Sequence, residues 1–239
     1  MRSAAPQTIA STAAGMIALL LASGVSQPAE AAFVQYASRA TFDALGPFVA
    51  VDWGIFGPTG TNISTPDSRI VGGITVGVGS SQGQLFRLDE GSGFTGTFAI
   101  GDHLLADGGS QSDTFIVRFG APVWGFGTQI DAHYISGLFT GNIDVYSAAN
   151  ALLYTANFSG DNTLAQDNSA PFVGVTSSLK DISYARFFVD QTDPALPAKA
   201  GALAINRLDV RVPEPSTFAL LASAILGFLG LGFLRRKIA

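Results

Sequence analysis

The chain of 239 residues contains no cysteine, which excludes a disulfide framework, a thiolate zinc site and cysteine-nucleophile catalysis. Charge is scarce too. Asp, Glu, Lys and Arg together make up 13%, about half the usual globular share of roughly 25%. So little charge excludes long solvated helices and a disordered acidic or basic chain, since both need many Lys, Glu or Arg residues. Cations are the scarcer sign, 13 against 18 acidic residues for a formal net charge of -5, and this argues against nucleic acid as a partner. Histidine occurs twice, at His103 and His133, and Glu90 is the sole glutamate within residues 32–212. What the chain has in quantity is hydrophobic residues (47%), glycine (28) and phenylalanine (18), the make-up of a β-rich or membrane-associated protein.

The apolar residues concentrate first at the two ends. Residues 1–31 have the layout of a secretory signal peptide: Arg2 near the start, an apolar run over 9–25, then Pro28 as a helix breaker. Ala29-Glu30-Ala31 places small residues, Ala29 and Ala31, at the two positions a signal peptidase reads, so the mature chain is expected to begin at Ala32. An uncleaved anchor is the alternative, but the run is short and interrupted by Ser11, Thr12 and Gly15. At the other end Val212-Pro213-Glu214-Pro215-Ser216-Thr217 precedes 17 residues, 218–234, whose only polar side chain is Ser223. As a helix rising 1.5 Å per residue they reach roughly 25 Å, enough for a thin bilayer. Arg235-Arg236-Lys237 follows. These cations hold that end in the cytoplasm and place everything before Val212 outside it. Pro213 and Pro215 keep the backbone before the span extended.

A Pro-Glu-Pro triplet, one hydrophobic span and a terminal basic cluster, in that order, resemble the PEP-CTERM sorting signal of Gram-negative bacteria. The resemblance covers 212–239. It implies that an exosortase, a membrane-embedded cysteine transpeptidase, cuts near Pro213-Glu214-Pro215. The precursor would be held in the inner membrane and the product passed to the cell surface or the exopolysaccharide matrix. A plain C-terminal anchor would account for the span and the cations equally well.

Between these ends, residues 32–211 are long enough for one sandwich with a real core. In the run 114–119, Phe115, Val117 and Phe119 fall on one face with Arg118 opposite, and 141–146 buries Ile143 and Val145 while showing Asp144. The run 182–189 is apolar on both faces. Further strands are expected at 48–53, 69–78, 84–88, 94–100, 123–130, 152–158, 172–176 and 203–210, separated by turn clusters such as Asp107-Gly108-Gly109-Ser110 and Ser159-Gly160-Asp161-Asn162. Many short strands and no long helical stripe predict an all-β domain, an antiparallel β-sandwich or jelly roll, flanked by a signal helix and a single C-terminal transmembrane helix. The runs 115–131, 172–175 and 203–208 also look like the jelly-roll ectodomain often joined to this sorting signal. In that group the last strand commonly carries an Ile-Asp-Asn-like stretch; here it reads Ile205-Asn206-Arg207, with a neutral amide in place of an acid.

Chemical motifs are sparse in this domain. Gly79-Ser80-Ser81-Gln82-Gly83 fits GxSxG and Gly91-Ser92-Gly93-Phe94-Thr95-Gly96 fits GxGxxG, but chance matches to both are expected in so glycine-rich a chain. Neither precedes a helix, as a nucleophile elbow or a phosphate loop must. Aspartates in turns nominate a structural calcium ion held by Asp107, Asp113, Asp161 and Asp167, with Asp190 and Asp193 nearby in sequence, because oxygen-only loop ligands suit that hard cation. Their alternative role is turn formation. For saccharide contact the flat rings of Tyr146, Tyr154 and Trp124 are the nominated residues, since rings stack on sugar faces while nearby Asp or Asn bind hydroxyls. The sequence therefore points to a non-enzymatic exported surface or matrix protein, processed by signal peptidase and an exosortase-like enzyme. A carbohydrate-binding module for exopolysaccharide is the first alternative and an extracellular hydrolase the second.

Overall fold

Alternation of apolar and polar residues is realised as sixteen strands in a computed structural model that describes residues 30–81, 84–108, 114–132, 136–191 and 203–212, with 190 and 191 by backbone alone. In chain order the first eight are β1 (Phe33–Tyr36), β2 (Val49–Val51), β3 (Thr61–Ser64), β4 (Asp67–Val71), β5 (Ile74–Ser80), β6 (Gln84–Glu90), β7 (Gly93–Phe94) and β8 (His103–Asp107). The rest are β9 (Phe115–Val123), β10 (Gly125–Ala132), β11 (Gly137–Tyr146), β12 (Leu152–Asn162), β13 (Phe172–Ser177), β14 (Ile182–Gln191), β15 (Leu203–Ile205) and β16 (Leu208–Arg211). They form two sheets. One follows the order β1-β13-β10-β15-β8-β6-β3, with β16 joining β10 to β2 and β7 beside β6; the other is β12-β11-β14-β9-β5-β4. All pairings are antiparallel except the two-residue contact of β6 with β7. The expected antiparallel sandwich is the architecture observed. The segments expected to form the two flanking helices lie outside the described residues, and among the described residues no helix is long and apolar enough to cross a membrane.

The inner faces meet where alternation says they should. Phe115, Val117 and Phe119 of β9, Ile143 and Val145 of β11 and Phe187 of β14 are buried against Phe126 and Ile130 of β10 and Val173 and Val175 of β13. Rings bridge the two sheets directly, with Phe126 centroids 5.8 Å from Phe119 and 6.0 Å from Phe187. Each such buried Phe contributes about 1.5–3 kcal/mol, with about 1 kcal/mol more for a well-oriented ring pair. Every residue of β10 is buried. Its other side lies under connecting segments, where a smaller cluster gathers Leu88, Phe94, Phe98, Leu104, Ala106, Ala170 and Ala204.

Several expected strands have different limits, each for an identifiable reason. The run 69–78 is a hairpin, β4 to β5, turning at Gly72 and Gly73 with φ +55° and +82°; left-handed conformation at both central residues is what a type I′ turn needs, and Gly-Gly supplies it. The run 94–100 is no strand beyond Phe94, because carboxylates take its backbone N–H groups out of any ladder: Glu90 accepts from Gly96 and Asp131 from Thr97. The run 203–210 breaks at Asn206-Arg207 into β15 and β16. The run 48–53 stops at Val51, and Trp53–Phe56 form a 3-10 turn capped by the Asp52 side chain on the Gly54 N–H. Strands β1, β3 and β8 and the short helix α1 (Arg39–Asp43), capped by Ser38, are absent from the sequence reading.

Candidate functional site

The outer face of the six-stranded sheet carries the most distinctive exposed chemistry. Since Ile143 and Val145 point inward, Asn142, Asp144 and Tyr146 point outward, and residues opposite them across the ladder share that face. Register sets Tyr146 opposite Tyr184 and Tyr184 opposite Arg118. The two tyrosine rings stack at 4.7 Å and 5°. Arg118 lies over Tyr184 at 4.5 Å from guanidinium carbon to ring centroid, and Arg186 lies 5.9 Å from the Tyr146 centroid. Tyr184, only 9% exposed, thus has a ring on one flanking strand and a guanidinium on the other. Beside this row Asp144 accepts from the Thr155 hydroxyl at 2.7 Å and, at 3.4 Å, from that of Tyr146. Asn142 and Asn157 face each other in the next outward pair.

Neither Arg118 nor Arg186 has a carboxylate or a hydrogen-bond acceptor in reach among the described residues. The other arginines there do. Arg39 and Arg207 pair with Asp209, Arg69 with Asp67 and Arg87 with Asp89, and Arg211 donates to the carbonyls of Phe42 and Gly46 at 3.2 Å. Asp144 stands opposite Arg186 in register, yet its oxygens are taken by hydroxyls.

Of the three ring residues nominated from sequence, only Tyr146 belongs to this row. Tyr154 pairs with the inward Val145 in the regular register of the hairpin, ahead of the bulge that pairs Tyr146 with Leu152, so Tyr154 lies on the core side, stacked on Phe33 at 5.4 Å and 8°. Trp124, 37% exposed, occupies the bend from β9 to β10, with its backbone bonded to Arg211 and Ser177. Tyr184 and both arginines were not among the nominated site residues, although Arg118 reads from sequence as outward-facing; their adjacency depends on register.

Three of the four nominated calcium ligands, Asp107, Asp161 and Asp167, are among the described residues. Asp107 is buried at the end of β8, with Oδ1 accepting the Leu203 N–H at 3.3 Å. Asp161 is exposed on β12, and Asp167 is exposed with its carboxylate accepting the Ser169 N–H. Asp113, Asp193 and the Asp190 side chain lie outside the described residues. No group of three ligating side chains assembles among the described residues.

Two buried polar centres hold connecting segments on the ten-stranded sheet. At the first, the Asn206 amide donates to Asp102 Oδ2 at 2.9 Å and Gln129 Oε1 at 2.6 Å, while its oxygen accepts from Arg39 Nη2 at 2.9 Å and the Gln129 N–H at 3.1 Å. The Asn206 backbone carbonyl accepts from Trp53 Nε1 at 2.6 Å and the Thr128 hydroxyl at 3.0 Å. An acid at this position would lose both amide donations and face Asp102 with like charge, so the amide is the side chain this arrangement requires. At the second centre, Asp131 Oδ2 accepts the Thr97 N–H and hydroxyl, both at 2.7 Å, and Oδ1 accepts the Ala132 N–H at 2.8 Å. Burial still drives its pKa up to about 6, with the Asp161 charge acting in the same direction. Glu90, also buried, is raised chiefly by desolvation and further by the Asp131 charge, against the N–H of Gly96.

The residues that would serve a hydrolase are engaged elsewhere. His103 Nδ1 lies 2.6 Å from Asp52 Oδ1 and its Nε2 lies 3.9 Å from Asp89, whereas the Ser81 hydroxyl accepts the Thr114 N–H at 3.0 Å. His133 lies outside the described residues. An open cleft of about 340 Å³ between the Gly73 to Thr75 and Gly120 to Val123 segments is bordered by Lys180 and Val212.

The expected signal peptide with Ala29, the motif residues Pro213 to Thr217, the expected span 218–234 and Arg235, Arg236 and Lys237 lie outside the described residues; Ala31 and Val212 lie within them. Comparison with known proteins identifies the end of the chain: residues 211–237 match the PEP-CTERM protein-sorting motif. No match was found among curated proteins. Among solved structures the chain is similar to a DUF4465 family protein from Bacteroides caccae ATCC 43185, at 10% identity over 69% of this chain and 98% of that one, TM-score 0.43. It is also similar to CsCBM6-3 from Clostridium stercorarium, solved in complex with cellobiose, at 11% identity over 64% and 94%, TM-score 0.32.

Proposed function

We propose, on the premise that residues 211–237 are a PEP-CTERM sorting motif, that this is an exported protein of a Gram-negative bacterium with a non-enzymatic β-sandwich as the delivered part. A signal peptidase cutting after Ala31 and an exosortase cutting near Pro213-Glu214-Pro215 are its processing partners. The inner membrane holds the precursor through 218–234, and the cell surface or extracellular matrix receives the product. One observation carries this reading. The motif begins at Arg211, the last residue of β16, which lies between β10 and β2 with Leu208, Asp209 and Val210 buried. A cut two or three residues further on leaves every described strand with the released product.

Replacing Pro213-Glu214-Pro215 by three alanines is expected to leave full-length chain in the membrane fraction. The intact mass of protein from the culture medium reports both cuts at once. Unchanged processing and release of the triple variant would overturn the reading.

A second reading, binding of exopolysaccharide, has its own support in the outward-facing row of exposed Arg118, buried Tyr184 and half-buried Tyr146 and Arg186 with the hydroxyl-binding groups beside it. Tyr146 is its principal contact, and Tyr146→Ala is expected to weaken retention on immobilised polysaccharide while leaving the unfolding midpoint near that of the parent. Trp124→Ala tests whether the bend from β9 to β10 takes part. For the hydrolase alternative, the described residues supply no assembled constellation of acid, base and nucleophile.

A further inference from the structure

The outer face of the six-stranded sheet carries two cations that form no ion pair, since Asp144, opposite Arg186, has its oxygens on the Thr155 and Tyr146 hydroxyls, in a domain that is acidic as a whole. Residues 32–212 contain nine basic and sixteen acidic residues. Against that background an unpaired guanidinium is the exception, and Arg118 and Arg186 are the two described arginines with neither ion pair nor hydrogen bond. They are also close together. Arg118 stands opposite Tyr184, and Arg186 follows two residues later on the same strand, opposite Ile116, a diagonal pair whose Cβ atoms are separated by about 7–8 Å or less.

We infer that this face binds an anionic polysaccharide, with Arg118 and Arg186 receiving acid groups from successive parts of one chain. The inference rests on the saccharide-binding reading above and narrows it to a charge class. Three features support it. The Tyr184 ring is flanked by Tyr146 and Arg118, so it has no open face for the stacking by which aromatic residues hold neutral sugars; the row offers guanidinium instead. The cation-π contact fixes the Arg118 plane while leaving its N–H edges without a partner, the state suited to a bidentate carboxylate or sulfate. Thr155, Asn142 and Asn157 on the same face supply the donors and acceptors that sugar hydroxyls need. Two cations on a domain of net charge -7 fall well short of the many phosphate contacts by which proteins hold nucleic acid.

The test uses the processed protein from culture medium, with polygalacturonate as probe and its fully methyl-esterified form as the uncharged control on the same backbone. At low salt the acid form is expected to bind at least about tenfold more tightly than the ester, and raising salt from 50 to 200 mM should reduce that difference severalfold. Arg118→Gln is expected to lower affinity for the acid form about tenfold with only a small shift in the unfolding midpoint, because the side chain is exposed and the contact with the Tyr184 ring is the one it loses. Arg186→Gln provides the second site, and if it disturbs the fold the Arg118 variant and the salt dependence still decide. Equal binding of acid and ester would overturn the charge inference while sparing the saccharide reading. Binding of neither form would overturn both. Duplex DNA or phosphatidylglycerol vesicles captured as tightly as polygalacturonate, with the same loss in Arg118→Gln, would overturn a saccharide ligand in favour of a general polyanion site.

Discussion

Asp131 makes the stability of this sandwich depend on pH in a direction opposite to that of an ion-paired surface carboxylate. The side chain is buried on β10, and desolvation raises its pKa from 3.8 to about 6 in spite of three donated hydrogen bonds. Because the folded-state value is the higher one, the folded protein holds this proton more tightly than the unfolded chain does. Its contribution is therefore fully present below about pH 4 and is lost as pH rises through about 6. A shift of about two units corresponds to about 3 kcal/mol in all, of which about 2 kcal/mol falls between pH 4.5 and 7.5. Glu90, raised by burial and by Asp131 itself, adds a loss of the same sign. Asp131→Asn removes the titration and keeps the side-chain shape and one acceptor oxygen. Urea unfolding of both proteins at pH 4.5 and 7.5, followed by fluorescence dominated by buried Trp53 and half-exposed Trp124, isolates the effect. Whatever fixed penalty the variant carries, its stability relative to the parent should improve by about 2 kcal/mol from the lower pH to the higher, roughly 1 M in the difference between midpoints. A difference that stays level with pH, or runs the other way, would refute the assignment of a raised pKa to Asp131.

Gly96→Ala should destabilise by about 2–4 kcal/mol, since a Cβ there would lie 2.5 Å from Asp131 Oδ2 and from the Phe94 ring; a thermal midpoint within a degree of the parent would contradict the packing. Asn206→Ala removes the partner of Arg39, Gln129 and Asp102 at once and should lower stability by roughly 2–4 kcal/mol in urea. Phe126→Ala, which opens the contact between the sheets, is expected to lose about 3–5 kcal/mol. Leu138→Ala, at a side chain 66% exposed, should stay within about 0.5 kcal/mol of the parent in the same experiment.

Strand faces were readable wherever one side of a strand is buried and the other wet, as in 115–119 and 141–146, because period-two alternation is a local record of burial. Reading failed where a local pattern was redirected by a distant partner. The run 94–100 alternates like a strand, but Glu90 and Asp131, from two separate strands, bind its N–H groups. In 203–210 the interruption comes from Asn206, whose partners Arg39, Asp102 and Gln129 are far from it in sequence. Gly72-Gly73 was the exception: the hairpin signal was local and legible, but masked by the apolar run through it. Tyr146 and Tyr154 show the same division, since both are tyrosines near one hairpin and the cross-strand register, which sets Tyr154 against the inward Val145, puts them on opposite sides of the sheet.

The sequence by itself determined that this chain ends in a sorting motif and what kind of domain precedes it. A sorting tail is a linear signal of extended prolines, apolar span and cations, and a sandwich is announced by alternation and turn residues, so neither requires knowledge of what lies across the fold. Tertiary structure decided which polar residues act together. Arg118, Tyr184, Tyr146 and Arg186 come from three strands, and their row exists only because the registers of β9, β14 and β11 bring them level. Likewise the pKa of Asp131 follows from its burial beneath a segment more than thirty positions away. Register and desolvation are properties of contacts between distant residues, and a linear pattern of residue types does not encode them.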